Sequence, residues 1–135
     1  MTLLYFGIRV TDLERSLQFY TKLMGLKEER RGTMSHGGVW VHLVDPESRQ
    51  RLELNWYPHG SPYDVEYVPG EGLDHLGFRV PDALALYKGL LSKGVPSAHE
   101  PWMEKDEEII CYVKDPDGNW VEVYTRFEKP SPAGE

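Results

Sequence analysis

The first half of the sequence returns in the second half, and this internal repeat limits the fold more than any other feature. GIRVTDL, which begins at Gly7, resembles GFRVPDA, which begins at Gly77, with Gly, Arg, Val and Asp in register seventy residues apart. A second block, VDPESRQRLEL against KDPDGNWVEV, matches Glu53 to Glu122 with one residue of slippage. Two such blocks in the same order indicate two copies of one structural unit.

Each copy is predicted to have the element order βαβββ. The first strand ends at an aspartate, Asp12 or Asp82, whose carboxylate can cap the following helix. Apolar residues at helical spacing come next, and each helix is expected to stop at a glycine, Gly25 or Gly94. The three strands after each helix are predicted near 26–33, 38–45 and 50–57 in the first copy, and near 95–100, 107–114 and 119–126 in the second.

The 135 residues are predicted to form one domain, with repeats at about 1–57 and 72–126. The linker at 58–71 is rich in Pro, Gly and Tyr, and the end of the chain, 127–135, has the composition of a flexible tail. The single cysteine, Cys111, excludes an intrachain disulfide and favours a reducing compartment, so a cytoplasmic location is expected.

The net charge and the hydropathy of the chain argue against two classes of binding partner, nucleic acids and membranes. The net charge of −7 argues against nucleic acid, since phosphate contacts need clustered Lys and Arg. The apolar run at the N-terminus is too short to span a bilayer and lacks the features of a signal peptide, so no membrane partner is expected. A small-molecule ligand is the remaining expectation.

Strand alternation sorts the side chains by face. The apolar set of the first strand, which is expected to pack under the helix, comprises Phe6, Ile8 and Val10. The opposite face of the two copies carries Tyr5, Arg9, Glu53, His75 and Glu122. Both glutamates have apolar neighbours in sequence, which is unusual for a surface charge. If the two copies form one curved sheet, a histidine and two carboxylates converge on it, and such a donor set suits a divalent metal.

Four segments carry a resemblance to a known superfamily: IRVTDLERSLQFYTKLMGL (8–26), RLELNWY (51–57), GLDHLGFRV (72–80) and DPDGNWVEVY (115–124). In these the chain resembles the vicinal oxygen chelate superfamily, and within it most resembles glyoxalase I (lactoylglutathione lyase). The resemblance implies an α+β fold, in which two βαβββ modules form an open, cup-shaped mixed sheet around a metal. This is the glyoxalase/bleomycin resistance/dioxygenase fold.

The resemblance also implies the catalytic residues. Three of the four metal ligands of glyoxalase I fall on Glu53, His75 and Glu122, and the fourth falls on Tyr5, where the family has a histidine. The implied cofactor is a divalent ion, Ni, Zn, Mn, Co or Fe. Such an ion acidifies the C–H of a chelated hemithioacetal, and Glu122 is the implied base with Glu53 as its counterpart.

Substrate contacts and assembly are implied in the same way. Arg9 stands where the family holds a carboxylate of glutathione, and Asn55 is the nearest candidate for a further family contact, although its spacing differs. Tyr57 and Trp120 can line an apolar pocket. Glutathione or another thiol is the implied co-substrate, and a homodimer is expected. One chain can build the cup, or modules from two subunits can combine.

Tyr5 leaves several arrangements open, because a phenol has a pKa near 10 and must lose its proton to bind a metal well. A metal can drive that loss; water can complete a site of three protein ligands; or His42, in VWVHLVD, can reach in from the neighbouring strand. The site can also lack a metal and bind an antibiotic or aromatic compound. We favour the three-ligand metal site. An extradiol dioxygenase, which needs two histidines and one carboxylate, is the least favoured function.

Overall fold

The computed structural model describes residues 1–128 of the chain. These residues form two compact units, of which the first spans Met1–Pro69 and the second begins at Gly70. Each unit has the order βαβββ that the repeat predicts. Of the tail predicted at 127–135, residues 129–135 lie outside the described residues.

The first unit is a four-stranded mixed sheet with one helical segment. Its elements are β1 (Phe6–Arg9), α1 (Leu13–Gln18), a π-helical turn that continues α1 (Phe19–Leu23), β2 (Lys27–Thr33), β3 (Val39–Val44) and β4 (Arg51–Trp56). The strand order is β1-β4-β3-β2, with β1 parallel to β4 and the other neighbours antiparallel. Strand β4 therefore has a partner on both sides.

The second unit repeats this arrangement. Its elements are β5 (His75–Arg79), α2 (Ala83–Ser92), β6 (Ser97–Glu104), β7 (Glu108–Lys114) and β8 (Trp120–Arg126). The order is β5-β8-β7-β6, and only the β5–β8 pair is parallel. The two mixed sheets with few helices confirm the predicted α+β class. Within residues 1–128, no helix has the length and apolar character needed to cross a membrane.

Both helices begin and end as the sequence predicts. Asp12 and Asp82 each accept a hydrogen bond from the backbone N–H three residues further on, at 3.1 and 3.0 Å, which satisfies a donor that the helix leaves free. Gly25 and Gly94 follow the helix ends with φ angles of 83° and 87°. Glycine adopts this left-handed conformation without the steric cost that a Cβ would bring.

One face of each sheet forms a core under its helix. The buried apolar residues of the first unit include Ile8, Val10, Leu17, Tyr20, Val41, Leu43 and Leu54, and those of the second include Ala83, Tyr87, Leu90, Cys111, Val113, Val121 and Val123. The expectation that Phe6 packs with them is wrong, since this side chain is 60% exposed. Strand β1 is at the edge of its sheet, and Phe6 has a neighbouring strand on one side only.

The one-residue slippage between the repeats lies in the last turn of each unit. The Asp45 N–H donates to the Gln50 carbonyl at 2.9 Å, and the Asp115 N–H donates to the Asn119 carbonyl at the same distance. The first turn therefore holds one residue more than the second. The strands on either side remain equivalent, so Glu53 and Glu122 occupy matching positions.

Strand β6 is longer than predicted. The sequence predicts its end near residue 100, just before Pro101. The observed strand shifts register on both sides of His99 and continues to Glu104. It lies at the edge of its sheet, where a missing N–H is tolerated. The charged run at 104–108 then contains the turn into β7.

Candidate active site

Each of the two predicted carboxylates lies opposite a glycine. Gly7 pairs with Glu53 across β1 and β4, and Gly77 pairs with Glu122 across β5 and β8. A Cβ at Gly77 would be 3.2 Å from Glu122 Oε2, and one at Gly7 would be 3.9 Å from Glu53 Oε1. Each glycine thus makes room for the side chains opposite it, and at Gly7 these include Asn55, whose Nδ2 would be 3.1 Å from the added Cβ.

On its other side Glu53 meets a histidine. His42 pairs with Glu53 across β3 and β4, and its Nε2 lies 2.6 Å from Glu53 Oε2. The pair is well covered, with side-chain exposures of 9% for His42 and 15% for Glu53. The ring of Tyr5 lies 4.9 Å from the imidazole, centroid to centroid. Tyr5 therefore contacts His42, the residue that the sequence offers as an alternative reaching in from the neighbouring strand.

These residues line a cleft of about 480 Å³ in the first unit. Its walls are formed by Tyr5, Arg30, Met34, Trp40, His42, Glu53, Asn55 and Tyr57. The Arg30 guanidinium lies 5.6 Å from the Trp40 ring centroid, a cation–π contact. A Cβ at Gly32 would lie 2.6 Å from that indole, so glycine is needed for the ring to lie over β2. The predicted substrate contacts Asn55 and Tyr57 thus share a cleft with Glu53.

Arg9, the predicted carboxylate-binding residue, contacts the segment that follows β4. Its Nη1 donates to the Val65 carbonyl at 2.6 Å and to the Tyr63 carbonyl at 3.3 Å. The guanidinium also lies 5.2 Å from the ring centroid of Tyr67. In this conformation Arg9 holds the segment 63–67, and its role toward a substrate stays a prediction.

In the second unit His75 lies between two carboxylates. Its Nδ1 is 2.6 Å from Asp74 Oδ2, and its Nε2 is 3.6 Å from Glu122 Oε2. An ionised carboxylate only accepts hydrogen bonds, so Nδ1 donates to Asp74, and Nε2 faces Glu122. A histidine held in this way by a carboxylate is the arrangement in which imidazole commonly binds a metal.

The distance between the donor atoms of each histidine–glutamate pair shows whether the pair can bind one divalent ion. Ligand bonds of about 2.1 Å, at angles between about 90° and 120°, put two donor atoms roughly 3.0–3.6 Å apart. The His75–Glu122 separation of 3.6 Å falls within that range, whereas His42 and Glu53, at 2.6 Å, form a direct hydrogen bond. Nitrogen and carboxylate donors suit Zn, Ni, Mn, Co or Fe. Among the described residues, no three His, Cys, Asp or Glu side chains are grouped as a metal site.

Aromatic rings surround the second pair. Tyr112 lies across from Glu122 on β7, where the first unit has His42, and its ring centroid is 5.5 Å from His75 and 5.5 Å from Trp120. Burial raises the pKa of the Tyr112 phenol, and the negative charges of Glu122 and Asp74 raise it further. Tyr112 is therefore a neutral phenol at physiological pH. The predicted contact Trp120 is 43% exposed on this face.

Sequence reasoning gave no role to Asp74 or Tyr112, and it ranked His42 below other arrangements. A signal for His42 exists in VWVHLVD, where a polar residue interrupts an apolar strand just as Glu53 interrupts RLELNW. Counting residues outward from the turn at 45–50 pairs the two. The same count from the turn at 115–119 pairs Tyr112 with Glu122.

Comparison with known proteins agrees with this fold and with these motifs. Residues 2–123 match the family model of the Glyoxalase/Bleomycin resistance protein/Dioxygenase superfamily. The chain belongs to this superfamily, which confirms the resemblance in its four motifs.

Individual relatives include proteins named lactoylglutathione lyase and glyoxalase I. The chain is 30% identical to a lactoylglutathione lyase of Arabidopsis thaliana over 92% of its own length, but it spans only 44% of that relative. It is 30% identical to a probable lactoylglutathione lyase of Synechocystis, with 96% of this chain and 98% of the relative covered. Among solved structures, the trypanothione-dependent glyoxalase I of Leishmania major is 30% identical, with a TM-score of 0.73 and coverage of 93% and 86%.

Proposed function

We propose that the protein is a metal-dependent lyase of the glyoxalase I type. Its substrate would be the hemithioacetal of a 2-oxoaldehyde and a thiol, and its product the thioester of a 2-hydroxy acid. The observation that carries this proposal is the separation of 3.6 Å between His75 Nε2 and Glu122 Oε2, with His75 held from behind by Asp74. Similarity to proteins named lactoylglutathione lyase supports it.

His75 and Glu122 would hold the ion, and Glu53 is the third protein donor that the resemblance implies. Tyr5, the counterpart of the fourth family ligand, is the weakest donor of the set, since it contacts His42 through its ring. When bound, a divalent ion supplies the Lewis acidity that makes a C–H beside a carbonyl more acidic. It would also offset the cost of partly burying two carboxylates on these faces.

The proton transfer is assigned to Glu122. Its carboxylate would take the proton from the carbon that bears the sulfur and the hydroxyl group, and return it to the adjacent carbonyl carbon. Glu53 is the counterpart of Glu122 by repeat, but its Oε2 accepts a hydrogen bond from His42 at 2.6 Å. That oxygen is already hydrogen-bonded, whereas Glu122 Oε2 lies 3.6 Å from His75 Nε2 and is the less engaged of the two.

The remaining substrate contacts and the assembly belong to the same proposal. Asn55 and Tyr57, which line the first-unit cleft, and Trp120, in the second unit, are proposed as ligand contacts. Arg9 would bind a carboxylate of the ligand in place of the backbone carbonyls of Tyr63 and Val65. The thiol would then be glutathione or another thiol that carries a carboxylate. A homodimer in the cytoplasm is the expected form.

The direct test is isomerisation of the methylglyoxal–glutathione hemithioacetal by metal-stripped protein and by protein reloaded with Ni, Zn, Mn, Co or Fe. We expect activity only in a reloaded form, and a loss of roughly 10²–10⁴-fold in kcat for Glu122→Gln, the range for removal of a general base. Glu108→Gln, a half-buried carboxylate paired with Arg126 in the same unit, is the matched control and should keep full activity. Undiminished turnover by Glu122→Gln would reject the assignment.

A second candidate is a metal-free protein that binds an aromatic compound. The first-unit cleft favours it, because the rings of Tyr5, Trp40 and Tyr57 line about 480 Å³ and Glu53 is already hydrogen-bonded. The two candidates separate in one experiment. If the protein is a metal-free binding protein, an aromatic ligand should quench its tryptophan fluorescence to the same extent before and after metal removal. Such a protein would show no isomerisation activity.

A further inference from the structure

We infer that His42 is the positioning residue of Glu53, and that it fixes this carboxylate where the chain lacks the family's first-strand histidine. The inference rests on the proposed function, in which Glu53 is a metal-side carboxylate. Its basis is geometric: His42 Nε2 lies 2.6 Å from Glu53 Oε2, on the neighbouring strand and at the paired position.

The hydrogen bond has a defined direction. The Glu53 carboxylate accepts, so His42 must carry its proton on Nε2. This bond occupies Oε2, while Oε1 lies on the side of Gly7, where a Cβ would be 3.9 Å from Oε1 and 3.1 Å from Asn55 Nδ2. His42 therefore holds one carboxylate oxygen and leaves Oε1 outside its hydrogen bond.

His42 is itself held firmly. The residue is 7% exposed, and its imidazole contacts two aromatic rings, with centroids 4.9 Å from Tyr5 and 5.0 Å from Trp40. A buried ring with these neighbours loses little further freedom when it makes the hydrogen bond, which makes the contact more effective. Tyr5 thus contributes through His42, as a wall that keeps the imidazole in place.

The distance also separates positioning from direct ligation. Two donors on one ion would be roughly 3.0–3.6 Å apart, so at 2.6 Å His42 and Glu53 are hydrogen-bond partners. Partners of metal-binding carboxylates typically change metal affinity by about 10–100-fold when they are removed. His42 is expected to act within that range.

The test compares Ni²⁺ affinity, measured by calorimetry on metal-stripped protein, for wild type, His42→Ala and His42→Gln. We expect His42→Ala to weaken binding by about tenfold or more, and His42→Gln to recover most of the loss. An amide N–H can donate to Glu53 but is a poor metal ligand, so recovery is specific to positioning. His99→Ala, a strand histidine against Trp102 in the other unit, is the control and should bind as wild type does.

Two results would overturn the inference: unchanged Ni²⁺ affinity in His42→Ala, or His42→Gln as weak as His42→Ala, which would make His42 a direct ligand. Absence of Ni²⁺ binding in wild type would instead reject the proposed function. In that case nitrogen-15 NMR of the metal-free protein decides on His42. A protonated Nε2 resonance that is lost in Glu53→Gln supports the inference, and its absence from wild type contradicts it.

Discussion

Gly77 lies directly across the parallel β5–β8 pair from Glu122, and a Cβ at Gly77 would meet Glu122 Oε2 at 3.2 Å. This distance is tighter than ordinary van der Waals contact, but the atom that it meets is the end of a flexible side chain. A methyl group there would displace the carboxylate by a few tenths of an ångström and leave the backbone in place. The glycine therefore preserves the separation between Glu122 and His75.

Gly77→Ala is expected to weaken Ni²⁺ binding by about tenfold while the fold is retained, because a displaced ligand costs affinity as a lost supporting contact does. Calorimetry measures the Ni²⁺ affinity, and thermal unfolding checks that the fold is retained. Gly89→Ala in α2 is the matched control, because a Cβ there meets no atom within 4 Å. It should raise stability by about 0.5–1 kcal/mol and leave binding unchanged. Wild-type affinity in Gly77→Ala would contradict the account.

Removing the guanidinium of Arg9 should loosen the segment after β4. In Arg9→Ala the carbonyls of Tyr63 and Val65 lose a charged donor, and hydrogen bonds from charged groups contribute about 1.5–3 kcal/mol. Because this contact is partly exposed, we expect a loss at the lower end of that range. This corresponds to a rise of about tenfold in the hydrogen-exchange rate at the amides of Ser61 and Asp64. Mass spectrometry of the peptides that span 58–69 measures it.

Arg79→Ala provides the control for Arg9, because Arg79 occupies the same position in the second repeat and is solvent-exposed. Its substitution should leave exchange in 58–69 at the wild-type rate. Equal exchange in Arg9→Ala and wild type would show that Arg9 does not hold this segment. It would then be available to a substrate carboxylate.

Cys111 should resist thiol reagents in the native protein. Burial raises the pKa of this thiol from 9.0 to about 11, and the charge of Glu122 adds to the effect. The reactive thiolate is therefore scarce at mildly alkaline pH. Since the folded pKa lies above the unfolded one, this contribution to stability is complete below 9.0 and is lost as the pH rises toward 11. Rapid native labelling, equal to that of urea-unfolded protein, would contradict the burial.

Asp74→Ala should weaken Ni²⁺ binding by about tenfold, since His75 loses the acceptor at 2.6 Å that fixes its tautomer and ring orientation. Calorimetry measures the change. Asp106→Asn, in the turn between β6 and β7, removes an exposed charge of the same sign at a position with φ 55°, which Asn tolerates, and controls for general electrostatics. Equal losses in the two variants would mean that Asp74 acts only through its charge.

Much of the fold was predictable because both repeats carry the same helix-capping residues. An aspartate starts each helix and a glycine follows it, so Asp12, Asp82, Gly25 and Gly94 mark matching boundaries. Alternating apolar residues then gave the strands. The predicted end of β6 was too early: the strand continues through Pro101 to Glu104 because β6 is at an edge of its sheet, and local sequence does not show which strands are at an edge.

The site was predictable in part. Strand alternation put Glu53 on the same face as Asn55 and Tyr57, and all three line one cleft. The bond between His42 and Glu53 depends on hairpin register, which an extra residue in the turn can change. The partners of Arg9 come from a linker without periodicity, so no pattern in the sequence indicated them.

The most direct test of the central claim is the metal content of the purified protein, measured by elemental mass spectrometry on wild type and His75→Ala. The account predicts a near-stoichiometric divalent ion, Ni, Zn, Mn, Co or Fe, in wild type and its loss in the variant. Wild-type protein that holds no metal after reconstitution with each of these ions would contradict the account and leave the aromatic-lined cleft as a binding site.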